Sequence, residues 1–287
     1  MNPREGKYIS CSYKPKDLPR ATDVTVTSDN NIYILTHERE SDRQLSIDKY
    51  NHAGNVWEDA GMSSVSEWQT IENDSTCYDE QLVEVDGILF CIAADAEGDS
   101  GLVWMKKYNR HTDQWEECSL LQLDVVADVY REALSCGSYL YYLGSIEMHR
   151  YDPSQDRWCK LTPPIMEDEV STAVAMGTEI FCTDFNFSQT ILYDTESDQW
   201  QKLQGWPNPG NLYIDNVPRL FVLENQLHIV LICTSESQEE YIYMVYVHDR
   251  SADAWRDLTA YRSNKIYHGF GCRCVAARIY PPYLMEA

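Results

Sequence analysis

Histidine and cysteine are the residue types here that could do metal or proton-transfer chemistry, because both ligate transition metals and histidine titrates near neutral pH. The chain has seven histidines and ten cysteines, and nearly all of them occur singly. One Cys-x-Cys pair, Cys272 and Cys274, has no second pair to complete a zinc site. The spacing therefore predicts no metal and no cofactor.

Other catalytic patterns are missing from the sequence. It contains no glycine-rich phosphate loop, no nucleophile elbow and no Ser-His-Asp arrangement. Paired carboxylates are frequent, but with 46 acidic residues their proximity follows from composition alone. We therefore expect no enzymatic activity.

The charge balance limits the partners. With 23 Lys and Arg against 46 Asp and Glu, the chain carries a formal net charge of −23. Nucleic acids and anionic membranes attract basic surfaces, so we expect neither as a partner. The same field favours a protein partner with a basic or mixed-charge segment. Hydrophobic residues make up 44% of the chain, which predicts a folded core.

The cysteines indicate a compartment. They lie mostly inside apolar runs such as Phe90-Cys91-Ile92. Buried free thiols are typical of reducing compartments, where disulfides are rare. Residues 1–13 carry charges and lack the apolar segment of a secretory signal. We expect a cytoplasmic protein, with the nucleus as the alternative.

An eight-residue pattern recurs five times and predicts the elements that position the loops. Each copy, called an octet below, begins with Tyr or His and ends with Trp, at 50–57, 108–115, 151–158, 193–200 and 248–255. Turn-forming residues fill its middle, so each octet is predicted to be a hairpin. We expect its large rings to pack between sheets rather than to bind a ligand. These rings are Tyr50, Trp57, Tyr108, Trp115, Tyr151, Trp158, Tyr193, Trp200 and Trp255.

A second hairpin precedes each octet, as in Ala133–Cys136 and Tyr139–Leu143. Four antiparallel strands in each unit of about 50 residues are typical of a β-propeller. The predicted fold is all-β, one propeller domain over 1–287, with five four-stranded blades favoured over six. The repeats fall at approximately 18–60, 76–118, 130–161, 170–203 and 217–258, and the segments 7–13 and 270–277 are expected to be closing strands.

This repeat resembles that of the Kelch family. The Tyr-Asp…Trp octet is similar to the family's third-to-fourth strand signature, and Leu161-Thr162-Pro163-Pro164 is similar to the segment before a first strand. The resemblance covers roughly residues 18–277. The glycine doublet that usually closes the second Kelch strand is missing, so the chain resembles a divergent member.

The resemblance implies a function. Kelch propellers often follow BTB and BACK domains in substrate adaptors of cullin-3 RING ubiquitin ligases, and this chain would then be the domain that recognises the substrate. The BTB region and its contact with cullin-3 would lie outside these residues. A cytoskeletal, actin-associated scaffold is the first alternative, and a propeller enzyme is the second.

Partner binding is expected on one face of the propeller, because a rigid scaffold leaves its variable chemistry to its loops. The predicted loops on that face include 37–43, 95–101, 119–130, 184–188, 204–217 and 234–240. We predict contacts from His37, Asp95, Phe185 and Trp206 in loops, and from Tyr78, Tyr130, Arg131, Arg219 and Tyr267 near the starts of innermost strands.

Arg131 is the most specific of these predictions. Its planar guanidinium suits a carboxylate of the partner in bidentate fashion. An ion pair between two blades is an equally good explanation of the same residue.

Overall fold

The computed structural model describes residues 21–258, apart from 39–40, 52, 55, 67, 69–77, 96–100, 125–130, 145, 209–211 and 236–237. Within these residues the chain has 22 β-strands and no helix, hence no helix that could cross a membrane. The expected all-β class is confirmed. The predicted closing strands, 7–13 and 270–277, lie outside the described residues.

The strands form five antiparallel sheets. Blade 1 contains β1 (Ala21–Val26), β2 (Ile32–Glu38), β3 (Ser41–Asn51) and β4 (Val56–Asp59). Blade 2 contains β5 (Tyr78–Val85), β6 (Ile88–Asp95), β7 (Leu102–Asn109), β8 (Gln114–Glu117) and β9 (Leu121–Gln122). Blade 3 contains β10 (Arg131–Cys136), β11 (Tyr139–Gly144), β12 (Met148–Asp152) and β13 (Arg157–Lys160). Blade 4 contains β14 (Val170–Met176), β15 (Glu179–Asp184), β16 (Thr190–Asp194) and β17 (Gln199–Leu203). Blade 5 contains β18 (Leu212–Ile214), β19 (Arg219–Leu223), β20 (Gln226–Ser235), β21 (Gln238–Asp249) and β22 (Ala254–Asp257).

The sheets form a five-bladed β-propeller, which confirms the favoured blade number. The innermost strands are β1, β5, β10, β14 and β19, and each of the first four packs beside the next along the chain. Apolar side chains fill the spaces between successive blades in four clusters. Neighbouring blades cover both faces of a sheet, so all residues of β11 from Leu140 to Gly144 are buried.

Two predicted loops are instead tight hairpins. The ladder between β2 and β3 continues to the pair Glu38 and Ser41, and that between β20 and β21 continues to Ser235 and Gln238. The predictions of loops at 37–43 and 234–240 were therefore wrong over most of their length. The reason is that backbone pairing carries a hairpin beyond the blade body, where polar residues are no obstacle to it.

Two short strands occur inside other predicted loops. In the segment 119–130, β9 pairs with the start of β7 and so continues the outer edge begun by β8. In the segment 204–217, β18 pairs with the far end of β20, beside β19. Both strands are two or three residues long, too short for an alternating pattern to show in the sequence.

The octet hairpins are built on two acidic or amide positions. The second position accepts hydrogen bonds from the turn, as when Asp194 Oδ1 accepts the N–H groups of Glu196 at 2.8 Å and Ser197 at 3.1 Å. These two donors hold the pKa of Asp194 below its usual value. The sixth position lies in the left-handed region, with φ between 45° and 56° in Asp113, Asp156, Asp198 and Asp253. Aspartate tolerates this conformation better than most residues.

The second to fifth octets also hold the chain that leaves the preceding blade, an arrangement we call the latch. In the fourth octet, Trp200 Nε1 donates to the carbonyl oxygen of Thr162 at 2.9 Å. Asp198 Oδ1 accepts the N–H of Thr162 at 3.1 Å and the hydroxyl of Tyr193 at 2.7 Å. Each latch thus satisfies the backbone donor and acceptor of one connecting residue.

The other latches repeat this geometry. In each, the indole Nε1 of the tryptophan donates to a backbone carbonyl oxygen. The pairs are Trp115 with Ser63, Trp158 with Ser119 and Trp255 with Gln204, at 2.9, 2.8 and 3.0 Å. Within the octet, the first ring and the tryptophan ring contact each other at a tilt, with centroids 4.9 Å apart and planes at 47° for Tyr193 and Trp200. Burial and the bond to Asp113 raise the pKa of Tyr108 to about 12, so its hydroxyl remains a donor at neutral pH.

Candidate protein-binding face and axial channel

The functional predictions fall on the side of the propeller where the innermost strands begin, called the entry face below. Because neighbouring strands are antiparallel, the second-to-third strand connections and the connections between blades open on this side. Tyr78 begins β5, Arg131 begins β10 and Arg219 begins β19. The ladder places Tyr78 opposite Asp95, so these two predicted residues are brought together.

An axial cavity of about 310 Å³ is bounded by the innermost strands of all five blades. Two charged residues, Glu132 and Arg219, lie in its wall. The apolar part of the wall includes Val24, Val83, Leu134, Val174 and Phe221. A cavity of this size could admit one or two side chains of a partner, and its two opposite charges could orient them.

Side chains near the mouth of this cavity join one blade to the next. Asp23 Oδ2 accepts the N–H of Leu82 at 2.8 Å, and Gln81 Oε1 accepts the N–H of Ala133 at 2.7 Å. In blade 4, Thr172 Oγ1 accepts the N–H of Leu220 at 3.3 Å. All three are acceptors at the same register position of an innermost strand.

Arg219 holds that register position in blade 5, directly before Leu220. A guanidinium group has five donors and no acceptor, so it cannot continue the pattern of side-chain acceptors. Blade 5 therefore has a cation at the register position where blades 1, 2 and 4 have side-chain acceptors and blade 3 has Glu132. Arg219 and Glu132 both line the cavity.

Arg131 lies at the junction of blades 2 and 3. Its carbonyl oxygen accepts a hydrogen bond from Gln81 Nε2 at 2.9 Å. Its side chain is partly buried. This position fits either interpretation of Arg131, a ligand for the partner or a contact between blades.

His37 faces a carboxyl group that the sequence did not single out. His37 Nε2 lies 3.6 Å from Glu80 Oε2, across the junction of blades 1 and 2. The Glu80 side chain is only 7% exposed. Burial, with a smaller effect of the Asp79 charge, raises the pKa of Glu80 to about 7. The entry face thus contains a carboxyl group that changes charge near neutral pH.

Phe185 and Trp206 have different environments. Phe185 projects from the connection between β15 and β16 and is 43% exposed. Trp206 packs on the apolar cluster between blades 4 and 5, with its ring centroid 6.5 Å from that of Tyr246. The backbone N–H of Trp206 donates to the carbonyl oxygen of Phe187 at 2.8 Å, which ties the two entry-face connections together.

Comparison with known proteins shows which sequences the chain resembles. No protein-family model matches the chain. It is similar over 98% of its length to "Kelch repeat and BTB domain-containing protein 8" of Xenopus tropicalis, at 25% identity, and of Homo sapiens, at 23%. The chain is a five-bladed β-propeller with a sequence similar to those of Kelch-repeat proteins. It covers 47% and 48% of those two proteins, and so spans about half the length of the curated relatives it matches.

Among solved structures, this propeller has a weak likeness to the one titled "Structure of U3-55K". The alignment has a TM-score of 0.49 and 8% sequence identity. It covers 84% of this chain and 81% of that one.

The predicted contact residues are distributed around this propeller. Tyr78 and Asp95 lie together on blade 2, near the junction where His37 meets Glu80. Arg219 lies on the cavity wall, and Phe185 and Trp206 lie on the connections of blades 4 and 5. Tyr130 and Tyr267 lie outside the described residues.

Sequence reasoning missed the buried acids of the entry face, Glu80 and Glu132, and the acceptors Asp23, Gln81 and Thr172. An isolated polar residue in an apolar strand gives no sign of which neighbouring blade it will meet. A signal did exist for the latches, since Asp recurs at the sixth position of four octets. In the part of the chain that the structure describes, no three His, Cys, Asp or Glu side chains are grouped closely enough to hold a metal ion.

Proposed function

We propose that this chain is a protein-interaction module, the substrate-recognition domain of a BTB-Kelch adaptor for a cullin-3 RING ubiquitin ligase. A segment of a partner protein would bind across the entry face, with side chains at the mouth of the axial cavity. The observation that carries the proposal is this cavity, bounded by the innermost strands of all five blades, with one cation, Arg219, and one anion, Glu132, in its wall. The similarity to BTB-containing Kelch proteins supports the adaptor role.

The partner contacts would follow the chemistry of the face. Arg131 and Arg219 would bind acidic groups of the partner, whereas the net charge of −23 would attract its basic or mixed-charge segments. Tyr78, Tyr130, Tyr267, His37, Asp95, Phe185 and Trp206 would supply the remaining contacts. Cullin-3 would be bound through a BTB region outside this chain. The setting would be the cytoplasm or the nucleus, without nucleic-acid or membrane partners.

Affinity capture with the full 287-residue chain tests the proposal. We expect a partner captured by the wild type to be lost from Arg131→Ala and Arg219→Ala, and kept by Ile88→Ala. Ile88 is a suitable control because it is exposed at the start of β6, on the side opposite the entry face. Unchanged capture by both arginine variants would contradict binding at the mouth.

The adaptor role needs a separate test. A longer protein that contains this chain and a BTB region should co-precipitate cullin-3, and the partner should become ubiquitinated in its presence. Cosedimentation of the chain with actin filaments, without an effect on ubiquitination, would favour the scaffold alternative. Turnover of a substrate by the purified chain would favour the enzyme alternative.

A further inference from the structure

Four large apolar side chains are exposed in succession along the entry face of blades 3 to 5. They are Ile146 in the β11–β12 connection, Ile165 in the β13–β14 connection, Phe185 in the β15–β16 connection and Tyr213 in β18. Their exposed fractions are 51%, 40%, 43% and 55%. We call these four residues the apolar arc. Single exposed apolar residues are ordinary. These four differ in that they lie on consecutive connections of the same side of the propeller.

The connection that carries Phe185 is held by fixed contacts. Asp184, which is fully buried, accepts the N–H of Ser188 at 2.7 Å and also its hydroxyl. Phe187 takes a left-handed φ of 53° and buries its ring edge-on against Trp255, with centroids 5.0 Å apart. Because Phe187 turns inward, Phe185 is left outside on an ordered connection. An anchor positioned in this way loses little conformational entropy on binding.

Acidic residues lie directly beside the arc. Glu167, Asp168 and Glu169 follow Ile165 in the β13–β14 connection and are all exposed. Lys202 Nζ lies 3.1 Å from Glu167 Oε1. Asp168 and Glu169 have no ion pair with the residues that the structure describes. This charge is complementary to a basic side chain of a partner.

We infer that the apolar arc, together with Glu167–Glu169, binds an extended segment of a partner protein that carries two or more large apolar side chains next to Lys or Arg. The inference rests on the proposed function. It specifies the residue types of the partner segment and the part of the entry face that binds them. The apolar side chains of the segment cover Phe185 and Tyr213, and its cation lies against Asp168 and Glu169. Apolar contacts supply most of the affinity, and the charges supply selectivity and a faster encounter.

A phage-displayed library of random 12-residue peptides, selected on the full chain, is the probe for this inference. We expect the enriched peptides to combine aromatic or aliphatic residues with Lys or Arg. Their synthetic versions, measured by fluorescence anisotropy, should lose about tenfold or more in affinity for the double variant Phe185→Ala, Tyr213→Ala. Ile88→Ala, on the opposite side, is the matched control and should bind as the wild type does.

The acidic part is tested with Asp168→Asn, Glu169→Gln. This variant should lose affinity about threefold to tenfold at low salt, and the difference from the wild type should shrink as salt screens the charges. The conservative amides keep the shape of the connection, and thermal unfolding of each variant would confirm that it is folded.

The possible failures are distinguishable. Enriched peptides that lack basic residues, or that bind the Phe185→Ala, Tyr213→Ala variant as tightly as the wild type, would overturn the inference. If those peptides instead lose affinity for Arg131→Ala or Arg219→Ala, the proposed function stands and the arc is not its site. If no peptide is enriched on the wild-type chain, the result counts against the interaction module itself and therefore against both.

Discussion

The octet hairpins and the entry-face connections both link strands, yet they differ in where they place polar and apolar groups. The octets pair their polar groups in hydrogen bonds, whereas the entry face buries an acid and exposes an aromatic ring. In every latch an Asp and a Trp recur, joined by Tyr or, in blade 5, by His248. The backbone of one connecting residue is satisfied each time, as at Thr162. On the entry face, the connections differ in length, and one buried carboxyl group, Glu80, keeps a pKa raised to about 7. Phe185 is exposed there, although an aromatic ring of that size could have been buried.

This contrast indicates that the latches serve the stability of the fold, whereas the entry-face connections are free to serve recognition of a partner. A latch repeats because every blade needs the same closure against its predecessor. An entry-face connection contributes less to that closure. Its apolar residues can therefore be exposed, and its acidic residues buried, although both lower the stability of the folded protein. The exposed arc and the buried acid of the entry face are of this kind, and functional sites commonly retain such costs.

The largest expected effect is in a latch. Trp200→Ala removes a large ring and leaves the carbonyl oxygen of Thr162 without its donor, and we expect a loss of about 3–5 kcal/mol in the free energy of unfolding, measured by urea denaturation. Trp200→Phe keeps an aromatic ring but not the indole N–H, and should lower the free energy of unfolding by less than Trp200→Ala does. Equal losses from the two variants would mean that the hydrogen bond, not the packing, dominates the latch.

A smaller loss is expected where the entry face depends on close backbone contact. A Cβ atom added at Gly205 would lie 2.1 Å from the carbonyl oxygen of Ser188. Gly205→Ala should therefore displace the two connections and cost about 2–3 kcal/mol, seen as a lower urea midpoint. Gly54→Ala is the control, since its nearest neighbour is Val56 Cγ2 at 3.2 Å. A neutral Gly205→Ala would show that these connections are not rigidly packed.

A substitution of Glu80 should stabilise the folded protein, in contrast to the two substitutions above. Because its pKa is raised in the folded state, the folded protein binds more protons than the unfolded chain between about pH 4.5 and pH 7. The stability of the wild type should fall as the pH rises through this window. Glu80→Gln should then raise the free energy of unfolding by about 1–3 kcal/mol at pH 8 and have little effect near pH 4.5. Urea denaturation at both pH values measures this, and a pH-independent difference would contradict the assignment.

The smallest effect on stability is expected at the apolar arc. Phe185→Ala should change the free energy of unfolding by less than about 0.5 kcal/mol, because the ring is partly in water already. Phe187→Ala is the comparison. Because the Phe187 ring is fully buried, its removal should lower the free energy of unfolding several times more. A large loss of stability from Phe185→Ala would mean that this ring is part of the packing and not of a binding surface.

The sequence was sufficient for the blades but not for the chemistry of the entry face. Tyr and Trp at a fixed spacing predict a hairpin from local turn residues, so five octets gave five blades. The partner of the recurring Asp could not be inferred, because Asp156 meets Ser119, which lies 37 positions earlier in the chain. Phe185 and Trp206 looked equivalent in the sequence. Their difference depends on the left-handed turn at Phe187 and on the contact at Gly205, which only the folded chain reveals.

All described latches point in the same direction along the chain. An octet holds the segment that leaves the blade before it, so Thr162 is bound by residues that follow it by 36 and 38 positions. During synthesis the N-terminal end emerges from the ribosome first. Blade 3 is therefore secured only after most of blade 4 has been translated, and the nascent propeller consolidates one blade behind the growing end.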